Sequence, residues 1–207
     1  MNAPDHGHAR AGDPRSDEEL MVAFCRGQGR AFEVLVSRHQ RGLFNFILRS
    51  VLNRSRAEEL LQEVFLRVVR AKARYEQTAR FSTWVYTIAR NLCVDESRRQ
   101  KFRRTVSLDA PRSAGRDDGG QVNLLDRQAA DDVSTDDAAA GPTLQRRMAA
   151  AVAALPDDQR EVFLMRQLGG LSFKEIGKVV GAPENTVKSR MRYALEKLRV
   201  DLKDLHE

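Results

Sequence analysis

Two blocks of helical periodicity, separated by an aperiodic acidic stretch, are the feature that most limits how this chain folds. In the first block, apolar residues such as Leu35, Leu43 and Ile47 recur at multiples of four residues, which places them on one face of a helix. The same spacing returns with Leu144 and Met148. No segment shows the alternation of a strand. The sequence predicts an all-α fold of two small helical domains joined by a flexible linker.

Composition sets the predicted boundaries. Residues 1–17 are rich in Gly, Pro, His and Asp without an apolar period, so we expect a disordered N-terminal tail. Residues 18–104 form the first helical domain. Residues 105–142 carry eight Asp against three Arg and no periodicity, which is typical of an acidic flexible linker. Residues 143–207 form the second helical domain.

Charge is concentrated in one part of the chain. The formal net charge is only +6, yet residues 67–104 contain eleven Lys and Arg against three acidic residues. A basic cluster of this kind favours a polyanionic partner such as nucleic acid.

Several classes of protein are disfavoured. Cys25 and Cys93 lie far apart in apolar patterns, so we expect no disulfide framework and a reduced compartment. The four His residues have no metal-ligand spacing, and we predict no metal site and no cofactor. No apolar run approaches the roughly 18 residues of a membrane span, so the prediction is a cytoplasmic protein without membrane insertion.

The second domain contains a helix-turn-helix pattern. Ser172 and Glu175 have the spacing of a capping box, the short helix ends at Gly181, and a longer basic helix follows Pro183. A helix of this type presents the side chains near its N-terminus to base edges in the major groove. From these residues alone, an ordinary αα-hairpin with a solvated face remains the alternative.

At residues 171–176, 186–191 and 194–199 the sequence resembles region four of the extracytoplasmic-function sigma factors, a group of the sigma-70 family. Residues 57–65 and 81–91 resemble region two of the same family. The resemblance implies a non-enzymatic factor that binds core RNA polymerase and directs promoter-specific initiation. It implies promoter DNA, both duplex and opened strand, as a partner, allows an anti-sigma protein, and implies no small-molecule substrate.

The resemblance also assigns roles to individual residues. A polar stripe on the third helix would dock on polymerase, although without the resemblance a solvated face explains it equally well. The fourth helix, with the loop at residues 73–80, would capture the opened minus-ten strand and hold a flipped base. The spacing of Trp84 with Ile88 indicates a core position for that tryptophan. The polymerase-binding residues are Glu59, Gln62 and Glu63; the minus-ten residues are Arg80, Thr83, Thr87, Arg90, Asn91, Arg98 and Arg99; the minus-thirty-five residues are Asn185, Thr186, Lys188, Ser189, Arg190 and Arg192.

Two rival classes compete with this interpretation. A helix-turn-helix repressor or activator would bind duplex DNA alone, usually as a dimer, and would not need the polar stripe of the third helix. An enzyme would need a phosphate-binding glycine loop, a nucleophile elbow or a paired His, and the sequence contains none of these motifs.

Overall fold

The computed structural model describes residues 13–72, 75, 79–108 and 142–203. Within these ranges there are eight helices and no strand, which confirms the all-α prediction. The helices are α1 (Asp17–Cys25), α2 (Gly29–Val51), α3 (Arg54–Ala71), α4 (Phe81–Leu108), α5 (Pro142–Ala153), α6 (Asp157–Gly169), α7 (Phe173–Val180) and α8 (Glu184–Asp201). The first module consists of α1–α4 and the second of α5–α8.

The first module is built around α2, which packs against α1, α3 and α4. Its side chains at three- and four-residue spacing are fully buried, including Leu35, Leu43 and Ile47. The hydrophobic effect drives this packing, since each buried large apolar side chain contributes about 1.5–3 kcal/mol. Asn53 caps the start of α3 by accepting a hydrogen bond from the Arg56 amide at 2.9 Å.

The helix-turn-helix of the second module has the predicted local structure. The Ser172 amide donates to Glu175 Oε2 at 2.8 Å, and the Glu175 amide donates to Ser172 Oγ at 3.3 Å, which completes the capping box. Gly181 ends α7 at a φ of +69°, a conformation that favours glycine. On α8, Val187 and Met191 are buried, whereas Leu195, which the periodicity places inward, is exposed.

The two modules pack directly against each other. Helix α2 contacts α6, and α4 contacts α7. The approach of α2 to α6 is close at Gly42, where an added Cβ would lie 2.9 Å from the Leu168 carbonyl oxygen and 2.9 Å from the Tyr86 hydroxyl. Gly169 is similarly confined, with an added Cβ 2.9 Å from Tyr86 Cζ. The docked arrangement therefore depends on small residues at these two positions.

Both predicted flexible segments start or end differently in the structure. Residues 13–17 lie against α2, where Arg38 donates to the Arg15 carbonyl at 2.9 Å and to Asp17 Oδ1 at 2.7 Å. Helix α4 continues to Leu108, so the segment after it begins later than residue 105. Residues 1–12 of the predicted tail and 109–141 of the predicted linker lie outside the described residues.

We expect Ser172→Ala to destabilise the second module by about 1 kcal/mol, because the variant loses the side-chain cap of α7. For a domain of this size that corresponds to a fall in midpoint of about 4–8 °C. Thermal unfolding followed by circular dichroism measures it. Ser189→Ala, at an exposed position within α8, is the control and should leave the midpoint unchanged or slightly raised. A midpoint for Ser172→Ala at or above that of the wild type would contradict the capping role.

Candidate functional site

The predicted polymerase-binding residues lie on the outer side of α3. Gln62 is exposed, and its side chain makes no hydrogen bond within the described part of the chain. Glu59 is exposed and pairs with Arg56. Glu63 is half-buried and accepts from Arg67 Nε at 2.9 Å. All three side chains are therefore at the surface, and two of them are held by arginines of the same helix.

Exposed apolar side chains adjoin this stripe. Leu66 is 49% exposed and Val69 is 40% exposed, although the periodicity predicts Val69 to be in the core. Gln62, Leu66 and Val69 are four and three residues apart, so they share one face of α3. The polar stripe therefore continues into exposed apolar surface on the same face of α3.

Sequence reasoning missed the residue that positions this stripe. Glu96 on α4 is only 6% exposed and accepts from Arg56 at 2.8 Å, while Arg56 also pairs with Glu59. Gln100 donates to the same Glu96 carboxylate at 3.3 Å. This network ties α3 to α4 and orients Glu59. No local signal reveals it, because Arg56 and Glu96 are 40 residues apart in the chain.

The residues predicted to bind the minus-ten strand fall into two groups. Arg80, Asn91, Arg98 and Arg99 are exposed, on or just before α4. Within the loop at 73–80, the structure describes Tyr75 and residues 79 and 80, so the predicted base pocket lies largely outside the described residues.

Two of the three remaining minus-ten residues contact the second module, and the third bonds within α4. Thr83 is 5% exposed and donates to Glu175 Oε1 at 3.2 Å, and Arg90 forms an ion pair with Glu161 of α6. Thr87 donates to the Thr83 carbonyl at 2.8 Å. These positions differ from the free polar stripe that the sequence predicts, because α6 and α7 pack over that face of α4.

Glu175 connects the helix-turn-helix to α4. Its Oε1 lies 3.2 Å from Thr83 and 3.7 Å from Arg80 Nη1, while Oε2 completes the capping box with Ser172. Burial opposes ionisation of Glu175, but hydrogen bonds, mainly from Ser172, outweigh it and lower the pKa of the carboxyl below its usual value. Glu175 is therefore ionised at neutral pH and attracts Arg80.

The predicted minus-thirty-five residues are mostly free at the surface of α8. Arg190 is the exception: its Nε pairs with Asp158 Oδ2 of α6 at 3.1 Å, which holds the guanidinium against its own module. Lys188 pairs with Glu184 one turn earlier at 2.8 Å and remains exposed. The remaining exposed members are Asn185, Thr186, Ser189 and Arg192.

Comparison with known proteins decides the family. Residues 35–103 match the family model Sigma-70 region 2, and residues 145–198 match the model Sigma-70, region 4. The chain is 36% identical to RNA polymerase sigma factor CarQ of Myxococcus xanthus, over 89% of this chain and 97% of that protein. The chain belongs to the extracytoplasmic-function group of the sigma-70 family.

Two further comparisons agree with this membership. The sigma factor is 29% identical to ECF RNA polymerase sigma factor SigW of Bacillus subtilis, over 87% of this chain and 93% of that protein. Its fold is similar to that of the sigma factor RpoE of Bartonella quintana, solved in complex with the anti-sigma factor NepR. That similarity has a TM-score of 0.61 at 20% identity and covers 83% of this chain and 96% of that one.

The protein is thus an RNA polymerase sigma factor for promoter-specific transcription initiation. The region 2 match includes the stripe of α3 and the exposed residues of α4, and the region 4 match includes α7 and the N-terminal half of α8. Among the residues that the structure describes, no cluster of His, Cys, Asp or Glu is arranged to hold a metal ion. None of the described helices is both long and apolar enough to cross a membrane.

Proposed function

We propose that the two modules divide promoter recognition between them. The first module docks on core RNA polymerase through α3 and captures the opened minus-ten strand through α4. The second reads the minus-thirty-five element as duplex. The observation that carries the proposal is that one chain combines an exposed docking face on α3 with an exposed helix-turn-helix. Neither a duplex-binding repressor nor an enzyme has use for both.

The docking face on α3 suits a basic partner. Glu59 and Glu63 supply negative charge, Gln62 supplies an amide, and Leu66 and Val69 supply apolar area beside them. Interfaces of this kind gain affinity from a desolvated centre, while surrounding charges set orientation. The Arg56–Glu96 pair fixes the Glu59 end of the face, so less side-chain entropy is lost on docking.

Strand capture falls to the exposed basic end of α4. Arg98 and Arg99 contact phosphates, which gives affinity that falls steeply with salt, and Asn91 hydrogen-bonds a base edge. Thr83, Thr87 and Arg90 join them when the second module leaves α4. Opening of the docked arrangement therefore precedes full minus-ten recognition.

Duplex recognition falls to the first two turns of α8. Asn185, Thr186 and Ser189 are exposed at the end of the helix that enters the groove, where side chains reach base edges. Lys188 and Arg192 supply phosphate contacts. Arg190 acts differently: because it pairs with Asp158, it holds α8 on α6 and contributes orientation rather than sequence reading.

The remaining assignments follow from the family. The sigma factor has no catalytic activity of its own and works in the cytoplasm with polymerase. The structure of RpoE with NepR supports an anti-sigma protein as a further partner of this chain.

The decisive experiment adds the purified full chain to core RNA polymerase with a library of promoter fragments. The expected result is a set of transcripts that start downstream of two shared sequence elements separated by a constant spacer. These two elements define the minus-ten and minus-thirty-five sequences. Core polymerase without the chain is the control. Binding of the isolated chain to duplex DNA, with no effect on polymerase, would favour a repressor and refute the proposal.

A further inference from the structure

A cleft of about 460 Å³ lies between the modules, in the size range of pockets that hold small molecules. One wall is a face of α2, the floor includes Tyr86 of α4, and the other wall is the C-terminal end of α6. Promoter recognition as proposed above uses none of this surface. Its polar lining includes Arg38, His39, Arg41, Asn45, Arg49 and Gln167.

The positive charges of the cleft are only partly neutralised. Arg38 and His39 both contact the Asp17 carboxylate, at 2.7 Å and 2.6 Å. Arg41 and Arg49 have no carboxylate or hydrogen-bond partner within residues 13–72, 79–108 and 142–203. Two full positive charges therefore face the same cavity without a counter-charge.

Burial makes the charge of Arg49 costly. Arg49 is half-buried, and loss of hydration lowers the pKa of its guanidinium, yet an arginine stays protonated at any physiological pH. The C-terminal residues of α6 line the cleft, and that end of the helix carries about half a negative charge. That partial charge does not balance two guanidinium groups. Arg41 is exposed and Arg49 is partly desolvated without a partner, so an anion in the cleft gains an attraction to both and restores a hydrogen-bond partner to Arg49.

The donors are spaced for an extended anion. On α2 the spacing from Arg41 to Asn45 and from Asn45 to Arg49 is four residues. Their Cα atoms are therefore separated by about 6 Å along one face of the helix. Gln167 adds an amide from the opposite wall. Guanidinium groups bind phosphate oxygens in bidentate fashion, and amides donate to the oxygens between them. A nucleic-acid duplex does not fit a cavity of this volume.

We propose that the cleft between α2 and α6 binds a small phosphate-bearing anion with at least two phosphoryl groups, held by Arg41, Asn45, Arg49 and Gln167. Because its two walls belong to different modules, the anion binds the docked arrangement and not the separated one. It therefore stabilises the docked arrangement by mass action. The anion is a ligand of the sigma factor, and binding does not require DNA or polymerase.

Calorimetric titration of the full chain with sodium pyrophosphate, at fixed ionic strength, tests this directly. We expect saturable binding at one site, weakened at least tenfold by Arg49→Ala and further by adding Arg41→Ala. The control is Arg30→Ala, which removes an exposed arginine of the same helix outside the cleft and should change the affinity less than twofold. Separate titrations with orthophosphate and ATP identify the source of the phosphoryl groups. Tighter binding of ATP than of pyrophosphate assigns a nucleotide, and equal binding of the two assigns a free diphosphate.

Two results would overturn the anion site. One is the lack of saturable binding of pyrophosphate and of ATP. The other is an equal loss of affinity in Arg30→Ala and Arg49→Ala, which would show attraction to net charge alone. If Arg49→Ala fails to fold by circular dichroism, Arg49→Lys replaces it. Lysine keeps the charge but loses the bidentate geometry, so we still expect weaker binding, and unchanged binding would count against the site.

Discussion

Gly42→Ala is expected to open the docked arrangement and to strengthen binding of a single-stranded minus-ten oligonucleotide by the free chain about fivefold or more. The added Cβ would lie 2.9 Å from the Leu168 carbonyl oxygen of α6, a backbone atom that cannot rotate away. Overpacking of this kind costs about 1–3 kcal/mol. If the whole cost falls on docking, the ratio of open to docked molecules rises by roughly 5- to 150-fold.

The substitution leaves α2 itself intact, because alanine is a better helix former than glycine by about 1 kcal/mol. Small-angle scattering should show a larger radius of gyration for Gly42→Ala than for the wild type. Fluorescence anisotropy with an oligonucleotide from a selected promoter measures the affinity. The gain arises because Thr83 and Arg90, now held by Glu175 and Glu161, become free to contact DNA.

Gly29→Ala is a matched control on the same helix, since a Cβ added there meets nothing within 4 Å. It should leave both the radius of gyration and the oligonucleotide affinity unchanged. The added Cβ at Gly42 also approaches the Tyr86 hydroxyl of the first module, so a thermal melt accompanies each variant. If Gly42→Ala folds normally and matches Gly29→Ala in both measurements, docking does not restrict minus-ten binding.

Glu63→Arg is expected to weaken binding to core RNA polymerase at least about 30-fold. Reversing a charge within a desolvated interface typically costs 2–5 kcal/mol, because the variant loses an attraction and places like charges together. In the structure Glu63 accepts from Arg67 and lies 3.6 Å from Arg70. The variant therefore also concentrates positive charge on the docking face of α3.

The local cost of this reversal falls on the stability of the chain and is measured apart from affinity. The variant loses the helix pairs with Arg67 and Arg70 and creates two like-charge pairs, at roughly 0.2–0.5 kcal/mol each, which a thermal melt will register separately. Binding of each variant to surface-immobilised core polymerase measures the affinity. Glu33→Arg, an exposed reversal on α2 away from the α3 face, is the matched control and should bind like the wild type. Equal affinities for the two variants would remove Glu63 from the polymerase interface.

The sequence predicts some features of this fold and not others. The helix-turn-helix was predictable because its signals are local: Ser172 and Glu175 are three residues apart, and Gly181 ends the helix directly. The exposed character of Gln62 was predictable for the same reason, since helical periodicity alone places it opposite Val64.

The face that α4 buries was less predictable. Periodicity places Trp84, Val85, Ile88 and Leu92 on one inward face. The structure buries Val85 and Leu92 and packs Trp84 and Ile88 against the core while leaving both partly exposed, and it also buries Phe81 and Ala89. Helix α4 has apolar side chains on more than one face, because it packs against its own module and against the second one. The pattern within the helix does not say which neighbour covers which face.

What the sequence by itself determined is the local level: the helical segments, the capping box and the glycine end of α7, the basic end of α4 and the family motifs. Tertiary structure alone decided that the two modules dock. The contacts responsible join Thr83 to Glu175 and Arg90 to Glu161, 92 and 71 residues apart. Residues so far apart in the sequence give no signal in the helical periodicity, because each partner, taken with its sequence neighbours, looks like an ordinary solvated polar residue. Only the approach allowed by Gly42 brings them together.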